Sequence, residues 1–488
     1  MVLGFWGGVY AVKMKKCLPA LLILSVLLVG LGFWGFRTYR ARFVWLEEVR
    51  YERNTENLDL TGGLPEDLAV LREFTNLKQL DLRGTEISVP EFEQITQLCP
   101  DVEILWDIPF QNAYCHQDAQ CLTVTKLSEE DVHVLGYFTE LRKLDGNACK
   151  DYAMLAEVRK RYPQLEVTYQ IWLGEEAYAW SADQLTLRDV DIKQLEAVLP
   201  FFEKLEKITL EGVLPAAEDL QSVKAQYPDV EFYWQITVLE KTADTTTTEL
   251  DFSGIPLDTT REIEAAIPYL PSLEKVLMLD CGMTNDQMAQ LNEKYSDVLF
   301  VWKVKLGQGI VLRSDATVFA PVMLKKYVDD SDLKNLRYCT ELVLIDLGHM
   351  RITDVSFLEY MPQVRFLILA DTGVSDLSPL SGLKQLQFLE LFATPIRDCS
   401  PLVGCTALED LNICYSGADP EPLMQMTWLK RLWYTMNRIT YDQRNALLEA
   451  LPNTLVHMPT YGSTGDGWRK GELYYEMRDM MGMPYLPG

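Results

Sequence analysis

One spacing recurs from Leu342 onward and restricts the fold more than any other feature of the chain. Two apolar residues three apart are followed by a third two positions on: Leu342/Ile345/Leu347, Val364/Leu367/Leu369, Leu386/Leu389/Leu391 and Leu408/Leu411/Ile413, each 22 residues after the last. A fifth copy, Leu429/Leu432/Tyr434, follows after 21. Ile352, Val374, Ile396, Ala418 and Ile439 keep the same register, as do Cys339, Met361, Leu383, Cys405 and Met426 before each strand. A repeat this short holds one strand and one return segment, and neither can bury its apolar face alone. Stacking the copies closes a continuous core and places the strands side by side in a parallel sheet.

Two of these copies read VRFLILADTGVSDLSPLSGLKQ and LQFLELFATPIRDCSPLVGCTA. On these residues, 342–440 resemble the 22-residue leucine-rich repeats of the internalin family of bacterial surface proteins. That family's usual asparagine after the strand is replaced by Met350, Thr372, Thr394 and Ser416, and only Asn437 keeps it. The resemblance implies a ligand-binding surface protein. Asp354, Asp376 and Asp398 also recur at 22, each two residues before a serine. They are expected to accept hydrogen bonds from free N–H groups opening the return turn. A calcium ladder is the alternative, but the clustered Asp–Gly–Glu spacing of a calcium loop is absent.

A longer period of about 64 residues covers 58–340, with first strands starting at Leu58, Leu122, Leu185 and Leu250. Its most recognisable stretches are CPDVEILWDIPF, YPQLEVTYQIWL, YPDVEFYWQITV and YSDVLFVWKVKL. Each alternates as one strand does, so Trp106, Tyr169, Trp234 and Trp302 are expected in the core, against the alternative of a stacking ladder for sugars. Helical stretches such as EDLAVLREF link the strands, and polar connectors such as EKTADTTTTE at 240–249 read as loops.

Cys17 to Phe36 is 20 residues without a charge, long enough for a helix to cross a hydrocarbon core of ~30 Å. Basic residues flank it on both sides (Lys13, Lys15 and Lys16; Arg37, Arg40 and Arg42), and no small-residue cleavage site follows, so an uncleaved anchor is favoured over a signal peptide. Met14 is an alternative start. Residues 1–42 carry six of the 45 basic residues and none of the 71 acidic ones, which leaves the remainder at 39 against 71, or −32. So acidic a body argues against nucleic acid as a partner.

Catalytic and metal chemistry finds no support. The four histidines show no metal spacing, and no nucleophile elbow, zinc helix or cofactor loop occurs. Cys99, Cys339, Cys399 and Cys405 sit at apolar repeat positions and read as small buried hydrophobes. Cys115 and Cys121, in QNAYCHQDAQC, are close enough in sequence for a local disulfide.

The intervening strand positions face the concave side. They form a candidate partner-binding stripe of Phe366, Ile368, Phe388, Phe392, Tyr415 and Trp433, rimmed by Glu390, Asp410 and Arg431. Packing by the C-terminal tail and incidental exposure are the competing readings. The expected fold is therefore α/β: a leucine-rich-repeat solenoid with a curved parallel β-sheet, preceded by one N-terminal transmembrane helix. Its expected parts are an N-terminal segment (1–16), a signal-anchor helix (17–36), a juxtamembrane linker (37–56), long-period repeats (57–341), 22-residue repeats (342–440) and a C-terminal cap and tail (441–488). The expected function is non-catalytic binding, without cofactor or metal, of a protein or glycan by a repeat domain held outside the cell, with the bilayer as a second partner through 17–36. The alternative is an envelope scaffold organising other membrane proteins.

Overall fold

A computed structural model of the chain describes residues 42–458, 463 and 467–485. The chain divides into two compact units, Met1–Phe232 and Tyr233–Gly488, the division falling inside the long-period array.

In the first unit, an antiparallel hairpin pairs Phe43–Leu46 with Val49–Glu52. Strands Asn57–Asp59, Gln79–Asp81 and Glu103–Leu105 then pair in parallel, with Leu58, Leu80 and Ile104 in register. The next period repeats this with Leu122, Leu144 and Val167. Leu185 and Leu187 are then paired with Ile208 and Leu210. Helices fill the returns, and their starts are written in the sequence. Ser88 and Glu91 cap each other's backbone N–H groups ahead of helix Val89–Leu98, and Ser128 with Asp131 does the same ahead of Glu129–Val134.

The third stretch is a single strand in the third period, Glu231–Val238, but two strands in the others. Glu103–Leu105 ends the parallel sheet, and Asp107–Phe110 then turns into an antiparallel hairpin with Ala113–His116. Strand Gln170–Leu173 pairs with Glu176–Ala179 in the same way. The alternation survives the break, because Ile104, Trp106, Ile108 and Phe110 are all buried. Tyr169, Trp234 and Trp302 are buried as well.

In the second unit the connector at 240–249, read above as a loop, contains the return strand Lys241–Asp244. Its turn places Leu239 and Glu240 both at positive φ, the mirror-image turn whose twist suits a hairpin. Leu250, Val276 and Phe300 align across the next parallel sheet. Seven parallel strands follow: Val318–Phe319, Leu344–Asp346, Phe366–Ile368, Phe388–Glu390, Asp410–Asn412, Arg431–Trp433 and Leu455–His457. Ile345, Leu367, Leu389, Leu411 and Leu432 lie in register and are each 0% exposed. A buried leucine contributes about 1.5–3 kcal/mol, so one such ladder outweighs any single polar contact in the array.

The return turns are short 3₁₀ segments at Ser356–Tyr360, Ser378–Leu380 and Ser400–Gly404. The aspartate ladder opens them as expected, with Asp354, Asp376 and Asp398 accepting from the N–H of Ser356, Ser378 and Ser400 at 2.8–2.9 Å. Three of the four replaced asparagines are also explained, Met350 being buried without such a bond. Thr372 and Ser416 donate back to the carbonyls of Leu369 and Ile413, and Thr394 donates to Leu369. Asn437 donates to Ile413 and accepts from the N–H groups of Ser416 and Gly417. Either side-chain type holds the same turn, in which His349, Asp371, Ala393, Tyr415 and Met436 all take positive φ.

The described residues fold as leucine-rich repeats of α/β type. One part of the expected fold is corrected. The membrane helix at 17–36 lies outside the described residues, and no helix among the described residues is long and apolar enough to cross a membrane. The fold is therefore stated without a transmembrane helix. The single-pass membrane localisation that rested on that helix is not supported either.

Candidate functional site

Alternate residues of the 22-residue strands point away from the leucine ladder, onto the face where the partner-binding stripe was placed. Phe366 and Phe388 lie on it with ring centroids 6.4 Å apart, both fully buried. Ile368 and Trp433 are buried beside them. Asp410, 4% exposed, takes a two-pronged ion pair from Arg431, with one N–O distance of 2.7 Å. The Arg431 guanidinium lies 5.1 Å from the Trp433 ring centre. Asn412, fully buried on the same strand as Asp410, was not singled out from the sequence.

The chain's own C-terminal segment covers this stripe. Trp468 is 0% exposed, its ring centre 4.8 Å from that of Phe388 and 5.2 Å, edge-on, from that of Trp433. Helix Glu472–Met480 follows. Tyr474 and Met477 on it, and Met481 just after it, are buried in the same apolar cluster as Phe366, Ile368, Phe388 and Trp433. Positions 474, 477 and 481 fall on one helical face. Polar contacts flank the seat: Arg365 pairs with Glu476 at 2.9 Å, and Asn412 donates to the Ser463 hydroxyl at 3.0 Å. Gly471 passes so close to Arg431 that a Cβ there would collide with the guanidinium. Of the nine candidate residues, Tyr415 is the exposed one, at 41%. Its ring sits 5.3 Å from that of half-buried Phe392. A cleft of about 950 Å³ opens beside it, lined in part by Arg397, Asp419, Met436 and Arg438.

Two carboxyls are enclosed beneath the segment. Burial pushes the pKa of Glu390 up, with Trp468 and Arg469 pulling the other way. Burial likewise raises Asp346, opposed by the Gly348 N–H and by the charges of His349 and Arg478. A carboxyl raised on folding stabilises fully below its ordinary value and loses that contribution as pH climbs through the raised one. For Glu390 the ordinary value is 4.5, so the seat is expected to loosen as pH rises above it. Protection across 472–480, the amide exchange rate relative to the free peptide at each pH, reads this. Glu390→Gln has no charge to gain and should flatten the dependence; an unchanged slope would remove Glu390 as its cause.

Cys115 and Cys121, whose spacing allowed a local disulfide, are both free thiols in this structure. Cys115 lies on the hairpin strand Ala113–His116, opposite Ile108, and Cys121 begins the next parallel strand, opposite Lys143. Cys99, Cys339, Cys399 and Cys405 are buried, as their repeat positions require. Among the described residues no group of three or more His, Cys, Asp or Glu side chains is placed to hold a metal ion.

No protein-family model matches the sequence, and no curated protein matches it. Among solved structures the chain is similar to internalin C2 from Listeria monocytogenes, at 24% identity over 28% of this chain and 71% of that one, with a TM-score of 0.22. It is similar to an internalin F from the same organism at 16% identity, covering 85% and 91% of the two chains with a TM-score of 0.25. A leucine-rich-repeat protein of Leptospira interrogans matches at 15% identity over 83% and 96%, with a TM-score of 0.24.

Proposed function

We propose that this chain is a non-catalytic binding module that takes a protein partner on the concave face of its 22-residue repeats. One observation carries the reading: that face already holds a length of polypeptide, through aromatic packing on Phe388 and Trp433 and an ion pair at Arg365. Buried aromatics with an arginine among them are the composition of interaction hot spots. A glycan is the less favoured ligand, because the rings that would stack on sugars face protein here. The exposed ring of Tyr415, backed by Phe392 and bordered by the cleft, gives a partner its first foothold.

The test is to pan a displayed peptide library on the immobilised chain. Selected clones should bind the Tyr415→Ala variant about tenfold less tightly, the loss of a modest aromatic hot spot. Clones indifferent to Tyr415→Ala and Phe392→Ala, or no clones at all beside clear retention of glycans, would overturn the proposal.

A further inference from the structure

The C-terminal segment shows what kind of partner the concave face fits. We infer that residues 467–485 are a removable occupant of a helix-binding groove, and that the partner enters as an amphipathic helix in their place. This rests on the binding role proposed above and specifies its ligand.

Three observations point the same way. The sheet is complete without the segment, because its seven strands pair with one another and, among the described residues, the tail contributes no strand. Side-chain packing, the Arg431 guanidinium beside the Trp468 ring and the Arg365–Glu476 pair hold the segment, with the Asn412–Ser463 bond just ahead of it. Second, the seat is imperfect. Among the described residues, the Trp433 indole nitrogen, the Thr435 hydroxyl and the Tyr474 hydroxyl are buried without hydrogen-bond partners. Buried donors left unpaired weaken a contact, and an incoming helix offering acceptors would satisfy those of Trp433 and Thr435. Third, helix Glu472–Met480 has nine residues, too few to persist alone in water, so a released segment melts and leaves the groove open.

The groove then defines its ligand. An aromatic residue fills the Trp468 position. Apolar residues follow six, nine and thirteen positions later, as at Tyr474, Met477 and Met481, with a carboxylate eight positions on for Arg365. This is helix-in-groove recognition, with the anchors on one face and the charge beside them.

The probe is a fluorescent peptide of residues 467–485, titrated into the full-length chain and two variants that unseat the chain's own copy. Trp468→Ala removes the anchor ring, and Gly471→Val drives a side chain into Arg431. Amide exchange across 472–480 reports in parallel whether the segment is seated. Both variants should exchange faster there, keep the sheet's circular dichroism, and bind the peptide at least about tenfold more tightly than the unaltered chain, whose groove is occupied. Persistent protection of 472–480 in both variants would overturn the inference, as would a freed groove that ignores the peptide. Unfolding of both variants would also overturn it, because the segment would then be a cap the sheet cannot lose. The peptide reads the groove without any partner. A failure here is therefore distinct from a failed library selection, which reads partners at the Tyr415 edge.

Discussion

Asp410→Ala is expected to lower the unfolding free energy of the repeat array by about 3–5 kcal/mol, the usual effect of stripping one partner from a buried ion pair. The Asp410 and Arg431 side chains are 5% and 17% exposed, so water screens the pair little. Arg431 also lies over the rings of Trp433 and Trp468, which offer it no carboxylate in exchange. The pair itself need not be strongly stabilising. Asp410→Ala combined with Arg431→Met should therefore recover most of the loss, since an apolar pair of similar volume avoids desolvating the charges. Urea midpoints of the three proteins check this. A single variant within about 1 kcal/mol of the parent would mean that the pair behaves as a surface one.

Phe388→Ala should cost about 3–5 kcal/mol, the range for deleting a fully buried phenylalanine. Its ring touches the solenoid on one side, through Phe366, and the tail on the other, through Trp468. The loss should therefore not add to that of Trp468→Ala. Residues in contact couple by about 0.5–3 kcal/mol, and the double variant should fall short of the sum by that amount. Strict additivity, measured by the same urea titrations, would mean that the two rings do not rest on each other.

Both effects sit where the sequence was most and least legible. The ladder Ile345, Leu367, Leu389, Leu411 and Leu432 was readable because parallel stacking forces one chemistry on one register. Each copy then votes for the same period. The aspartates at 354, 376 and 398 were readable for the same reason, since a turn opened in the same way each time needs the same acceptor.

The hairpin at 239–240 was hidden because its turn breaks the usual code: Leu239 and Glu240 take positive φ without being glycine, asparagine or aspartate. Gly174 and Gly309 do mark the turns of two other hairpins, but they follow stretches whose alternation reads as one strand. Spacing alone also could not show that Cys115 belongs to a hairpin and Cys121 to the next parallel strand.

The concave stripe was found residue by residue, but its cover was visible only as one of several options. The signal was in the tail itself. Trp468 is followed by apolar residues at 474, 477 and 481, the spacing of one helical face with nothing nearby in sequence to bury it. Phe366, Phe388 and Trp433, three large rings on a face otherwise open to water, were the matching half.

The claim on which the rest depends is that residues 467–485 lie seated on the concave face. Hydrogen-exchange mass spectrometry of the unaltered chain, read across 472–480, tests it most directly. A nine-residue helix does not hold itself together in water, so docking is what would protect those amides. The account predicts exchange across 472–480 slowed well below that of the free peptide, and approaching free-peptide rates in Trp468→Ala. Free-peptide rates in the unaltered chain would contradict it, and would leave the stripe of Phe366, Phe388 and Trp433 open to solvent.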